Sequence, residues 1–137
     1  MAELQADSSA GRFIPLHAPV VIPLRSLKAP WQQVAFQGRF TRRNGRLAIA
    51  PGTAVRLPGS GGVKAFCLYC PHELCLIDFN ESRELFCTCH ASTFDPRRDG
   101  ALVEGPATRG TYQFQYAVAQ NTLRVTGIEA AIDERLP

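Results

Sequence analysis

Two short boxes of metal-binding residues constrain this chain more than any other feature in it. The first reads Cys70-Pro71-His72-Glu73-Leu74-Cys75, and the second reads Cys87-Thr88-Cys89-His90-Ala91-Ser92-Thr93-Phe94-Asp95. Four of the five cysteines and two of the three histidines fall in them. Thiolate and imidazole in comparable number suit a metal that accepts soft and borderline ligands together. Two chemistries use such donors. A [2Fe–2S] centre with two histidines replacing two cysteines on one iron takes two of each. A structural zinc site built on Cys67-x-x-Cys70 and Cys87-x-x-His90 takes three thiolates and one imidazole. Zinc gives Cys67 a role but leaves His72, Cys75 and Cys89 without one. Strand alternation also directs Cys67 and Cys70 to opposite faces unless the strand ends between them.

The rest of the chain reads as a sheet protein. Strands are expected over 20–24, 34–41, 46–50, 53–57, 63–69, 85–86, 101–104, 111–119 and 123–126, and a short terminal helix over 128–136. Residues 13–23 contain Pro15, Pro19 and Pro23, so they are expected to run extended at a sheet edge. Asn44-Gly45 predicts a type I′ hairpin, and Pro51-Gly52 is expected to end its second strand. Asn80-Glu81-Ser82 predicts a turn before the second box. Tyr112, Phe114 and Tyr116 alternate on one strand face, a core pattern rather than a base-stacking platform. Many short strands without a long helix indicate an antiparallel sandwich or barrel.

At 137 residues with 45% hydrophobic content, one domain with a real core is expected. We divide it into a flexible lead over 1–13 and a single domain over 14–137, with a cluster-binding part at about 66–109. A net charge of +3 is too mild to point to nucleic acid. Arg42-Arg43 and Arg97-Arg98 read as solvated turn residues, and His17 as a surface histidine. No apolar run approaches the ~20 residues that span a bilayer. Residues 1–12 lack the apolar core of a signal peptide.

With these residues in view, the chain resembles the Rieske iron–sulfur family, whose boxes are Cys-x-His-x-x-Cys and Cys-x-Cys-His. The likeness is specific across 63–109. It implies an all-β fold: a Rieske-like antiparallel β-sandwich or barrel base with a small cluster-binding subdomain inserted. It implies one [2Fe–2S] cluster per chain, held by Cys70 and Cys87 on one iron and by His72 and His90 on the other. The high-potential branch of cytochrome bc complexes adds a disulfide between the loops, at the positions of Cys75 and Cys89. Such a disulfide needs an oxidising compartment or deep burial in a complex.

The resemblance also implies residues around the cluster. Ser92 stands where the family's serine hydroxyl bonds a bridging sulfide. Phe94 stands where the high-potential family has a tyrosine, so one donor is missing. Glu73 replaces a leucine beside the first histidine, and its carboxylate lowers the expected potential further. Gly105-Pro106-Ala107 matches the start of the Gly-Pro-Ala-Pro loop that shields the cluster, with Thr108 in place of the last proline. Two histidine ligands raise the potential above that of four-cysteine clusters, into a range of roughly −150 to +300 mV. Their distal nitrogens couple electron uptake to proton uptake.

The leading functional expectation is electron transfer as the iron–sulfur subunit of a quinol–cytochrome c reductase-like complex. Its partners would be a quinol-oxidising cytochrome b and a cytochrome acceptor. Phe94-Asp95-Pro96, Ala107-Thr108 and Gly127-Ile128-Glu129 instead look like the small subunit of arsenite-oxidase-like molybdenum enzymes, where the partner is a molybdenum catalytic subunit. A soluble ferredoxin-like carrier and a zinc-binding module are further alternatives. The redox-complex readings place the domain in the periplasm or on the positive side of an energy-transducing membrane. Membrane association would come through partners or an absent anchor. No residue set in the chain reads as catalytic in its own right.

Overall fold

A computed structural model describes residues 12–72, 75–79, 83–89 and 91–137. Among the described residues, ten strands form three antiparallel sheets. The first sheet has the order β1-β10-β9, from Phe13–Pro23, Thr122–Glu129 and Phe114–Ala119. The second has the order β2-β3-β4, from Gln33–Thr41, Leu47–Arg56 and Val63–Cys67. The third has the order β5-β6-β7-β8, from Ile77–Phe79, Leu85–Cys87, Ser92–Asp95 and Ala101–Glu104.

The first two sheets form the base. They meet along both edges. His17 Nε2 lies 2.7 Å from Thr41 Oγ1 between β1 and β2, and Phe66 bridges Gln113 between β4 and the approach to β9. Strand β2 shows why this surface closes. Val34, Phe36, Gly38 and Phe40 turn inward while Gln33, Ala35, Gln37, Arg39 and Thr41 face water, the period-two pattern of a half-buried strand. Phe40, Leu123, Val125, Ile128 and Ile132 are fully buried in the base core.

The β3–β4 ribbon has a core on each face. Ala54, Val63, Ala65 and Cys67 turn into the base core, whereas Val55, Phe66 and Cys70 turn into a second core with Leu57, Ile77, Leu85, Cys87 and Phe94. Cys67, the last residue of β4, and Cys70, three residues beyond the strand, thus lie on opposite sides of a wall. That separation removes the pair on which the zinc reading depends.

Three local expectations need correction. Pro51-Gly52 does not end a strand: β3 runs through it from Leu47 to Arg56. The proline carbonyl accepts from Leu68 N at 2.9 Å, and at Gly52 a Cβ would stand 2.4 Å from Phe36 Cζ and 2.8 Å from Phe114 Cε2. The two residues thus let aromatic rings cross the strand closely. The β2–β3 hairpin is not type I′, because Gly45 alone in its turn has positive φ, at 83°. Gly45 N donates to Arg42 O at 2.9 Å, and Asn44 Oδ1 accepts from Arg46 N at 2.9 Å. At the C-terminus, β10 continues to Glu129, and a 3₁₀ segment covers Ala130–Arg135.

Residues 13–23 do lie at a sheet edge, as one strand whose register slips between Pro15 and Val20. The lead expected over 1–13 lies outside the described residues except for Arg12 and Phe13, and Phe13 already pairs with Glu129. The turn expected at Asn80-Glu81-Ser82 also lies outside them. Among the described residues, no helix is long and apolar enough to cross a membrane.

Candidate iron–sulfur centre

Two loops rise from the second core, each closed by its own backbone. In the first, Cys70 N donates to Cys75 O at 2.8 Å, and Tyr69 bridges Leu76. In the second, Ala91 N donates back to Cys87 O at 3.0 Å, with Ala91 in the left-handed region at φ 60°. A disulfide between Cys75 and Cys89 joins them, with Cα atoms 6.3 Å apart.

Cys70 and Cys87 are buried, and neither forms a disulfide. His72 is half-buried, with Nδ1 buried. The sulfurs of Cys75, Cys87 and Cys89 lie within 4.8 Å of one another. Two of these are bonded to each other, so only Cys87 in this trio can give a thiolate to a metal. His90 and Glu73 lie outside the described residues. Two buried thiols, an adjacent imidazole and a covalent clamp fit a mixed thiolate–imidazole iron–sulfur site.

Strand β7 supplies the side wall. Ser92 is buried, and its Oγ accepts from Ala107 N at 3.2 Å. The Gly105-Pro106-Ala107 loop can lie this close because residue 105 is a glycine. It holds φ 109°, and a Cβ there would stand 2.4 Å from Ser92 Cα. Phe94 is fully buried opposite Leu85 and Leu102. Asp95 Oδ1 accepts from Arg97 N at 2.9 Å and starts the turn that leads to β8.

Other residues that frame this unit carry no local signal in the sequence. Trp31 holds a φ of 68°, uncommon for a bulky residue, and its indole lies 5.8 Å from the Phe79 ring. The guanidinium groups of Arg97 and Arg83 sit 4.7 and 5.5 Å from the indole centroid. Arg109 pairs with Glu129 through Nη1 and Nη2, at 2.7 and 2.6 Å, and its guanidinium lies 4.5 Å from the Tyr112 centroid. Burial pushes the Glu129 carboxyl up, but the hydrogen bonds from Arg109 and from Gln113 N hold it below its ordinary value. Cys67, on the base side of the wall, is a buried thiol pushed up to about 12 by loss of solvent.

Comparisons with known proteins agree with this geometry. The model of the Rieske [2Fe-2S] domain matches residues 31–120. A Haloferax mediterranei protein named as a respiratory nitrate reductase Rieske subunit is 34% identical over 58 residues, 42% of this chain. The chain spans 26% of that relative's length. The ferredoxin of carbazole 1,9a-dioxygenase from Nocardioides aromaticivorans IC177 superposes with a TM-score of 0.54 at 27% identity, covering 79% of this chain and 96% of the ferredoxin. A chain of a hyperthermophilic respiratory Complex III superposes with a TM-score of 0.55 at 22% identity, covering 75% of this chain and 71% of the other, a likeness of fold.

An all-β fold with an inserted, disulfide-clamped pair of Cys/His loops is the architecture of an iron–sulfur electron carrier. The chain belongs to the Rieske [2Fe-2S] domain family. Its cofactor is a [2Fe–2S] cluster, and its function is electron transfer through it.

Proposed function

We propose that Cys70 and Cys87 bind one iron and His72 and His90 the other, within a single domain over 14–137 whose cluster-binding part covers about 66–109. The observation that carries this reading is the Cys75–Cys89 disulfide, which fixes the two boxes against each other above the buried thiols of Cys70 and Cys87. When bound, the cluster takes up and releases one electron at a time. The protein's own residues do the rest. The disulfide holds the loops in register through both redox states. Ser92 Oγ, already accepting from Ala107 N, keeps its hydroxyl hydrogen to donate toward the site. Ala107 and Phe94 exclude water from one side.

We further propose that the domain is the iron–sulfur subunit of a quinol–cytochrome c reductase-like complex, on the positive side of an energy-transducing membrane. The clamped pair of loops supports this assignment over a free ferredoxin-like carrier. A second reading has its own support. The Haloferax relative is named for a nitrate reductase, which favours service to a catalytic subunit, as in the arsenite-oxidase-like molybdenum enzymes.

Low-temperature electron paramagnetic resonance of the dithionite-reduced protein, beside an iron and zinc assay, tests the ligand set. A rhombic signal with average g below the free-electron value and two irons per chain is expected. Replacing His72 or His90 with Ser should abolish it. One zinc per chain and a silent spectrum would overturn the assignment. Isolation of the native assembly then separates the partners: haem b and haem c in the complex favour the quinol reading, and molybdenum favours the second.

A further inference from the structure

We propose that Arg135 is a positioning residue for the cluster-binding loop, tying the C-terminal segment to the backbone of His72 and holding a fixed positive charge beside it that raises the reduction potential. The proposal rests on His72 being an iron ligand, as set out above. Arg135 Nη2 donates to the His72 carbonyl oxygen across a sequence separation of 63. This contact joins the two cores of the molecule, because the C-terminal segment belongs to the base and His72 to the loops.

The segment that carries Arg135 is held on both sides of it. Before it, Ile132 is fully buried in the base core, and Ala130 N donates to Arg12 O at 2.7 Å. Asp133 Oδ1 accepts from Arg42 Nε at 2.7 Å, and its Oδ2 accepts from Arg43 N at 2.9 Å. After it, Arg42 Nη2 donates to Leu136 O at 3.2 Å and Arg42 Nη1 to Pro137 O at 2.7 Å. One arginine of the β2–β3 hairpin thus fastens the last turn to the base. A side chain leaving a fastened turn loses less freedom on forming one more hydrogen bond than one on a loose tail. Arg135 can therefore hold the His72 peptide at a set distance from the base.

The charge follows from the same contact. Guanidinium stays protonated at every working pH. Reduction adds negative charge at a centre one side chain away from the His72 backbone. A fixed cation there favours the reduced state, an effect opposite in sign to that expected for Glu73. Arg135 is exposed, so dissolved salt screens its charge. A geometric effect of the hydrogen bond alone would not be screened in this way.

The test uses the full chain loaded with its cluster, as wild type, Arg135→Gln and Arg135→Lys. Redox titration is followed by visible absorbance at low and at high ionic strength. The expected result is a lower potential for Arg135→Gln at low salt, a difference that shrinks in high salt, and a potential near wild type for Arg135→Lys. Cluster absorbance should also decay faster in a chelator for Arg135→Gln, with base unfolding by far-ultraviolet circular dichroism unchanged. A wild-type rhombic signal with the same potential in all three proteins would overturn the role of Arg135 and leave the ligand set standing. Equal shifts in both variants, insensitive to salt, would overturn the charge effect. Absence of the rhombic signal from wild type would remove His72 as a ligand and the proposal with it.

Discussion

The base core and the loop core share the wall made by β3 and β4, yet they are held by different means. The base draws on long paired strands, with β2 and β3 in register from Gln33↔Val55 to Thr41↔Leu47, and on fully buried Phe40, Leu123, Val125, Ile128 and Ile132. The loop core has strands of three and four residues and relies on Phe94, Leu85 and Ile77 beneath a disulfide. Hydrophobic area stabilises the first, and one covalent cross-link adds to packing in the second. The difference suits a carrier. The scaffold draws its rigidity mainly from packing, while short donor loops whose Cys and His side chains turn toward a metal bury less apolar surface and gain order from the cross-link.

Matched substitutions of two fully buried phenylalanines test this contrast most strongly. Phe40→Ala should cost about 3–5 kcal/mol and lower the global unfolding transition. Phe94→Ala, similar in local cost, should release the cluster while the base strands keep their hydrogen-exchange protection. Equal loss of base protection in both variants would show one cooperative unit rather than two.

Next in size is the disulfide. Replacing both Cys75 and Cys89 with Ser should cost about 3 kcal/mol, the value for a closed loop of this length. The loss should appear as faster cluster release, with little change in the far-ultraviolet spectrum of the base. Unchanged cluster retention would mean that the iron ligands alone clamp the loops.

Acid should act on the base first. The Glu129 carboxyl lies below its ordinary 4.5, so its contribution to stability is present above the unfolded value and is lost as pH falls through the folded one. Asp133 behaves alike below its ordinary 3.8, held down by Arg43 N and then by Arg42. The melting temperature should therefore fall as pH drops below about 4.5, and Glu129→Gln should flatten that fall. A variant with the same slope as wild type would remove the Arg109–Glu129 pair from the account.

The smallest effect on stability belongs to Phe94→Tyr, which restores a donor near the site. Its potential, read by voltammetry, should rise, because a hydroxyl that hydrogen-bonds a reduced and more negative cluster stabilises it. No rise would show that the buried ring at this position does not face the cluster.

Much of the site could be read from the chain because its signals are local. Cys70, His72, Cys75, Cys87 and Cys89 stand at spacings that a metal loop imposes, and Ser92 and Gly105-Pro106-Ala107 follow at short range. Alternation parts Cys67 from Cys70 unless the strand ends between them; β4 does end at Cys67, and it is packing that puts the two cysteines in different cores. Strands β5 and β7 escaped that reading, since segments of three and four residues hold too little periodicity, and ligand-box residues 92–95 also form β7. The passage of β3 through Pro51-Gly52 escaped it too, because only packing of the Phe36 and Phe114 rings over Gly52 reveals why a turn pair sits within a strand.

Chain-local chemistry thus determined the all-β class, the metal boxes and the family. Tertiary structure alone decided that one ribbon divides two cores, that Trp31 roofs the loop core between Arg83 and Arg97, and that Arg42, Asp133 and Arg135 carry the C-terminus to His72. The physical reason is range. Ligand spacing and strand alternation act between near neighbours, whereas an ion pair between residues 42 and 133 exists only after the sheets have brought the β2–β3 hairpin and the C-terminal segment together.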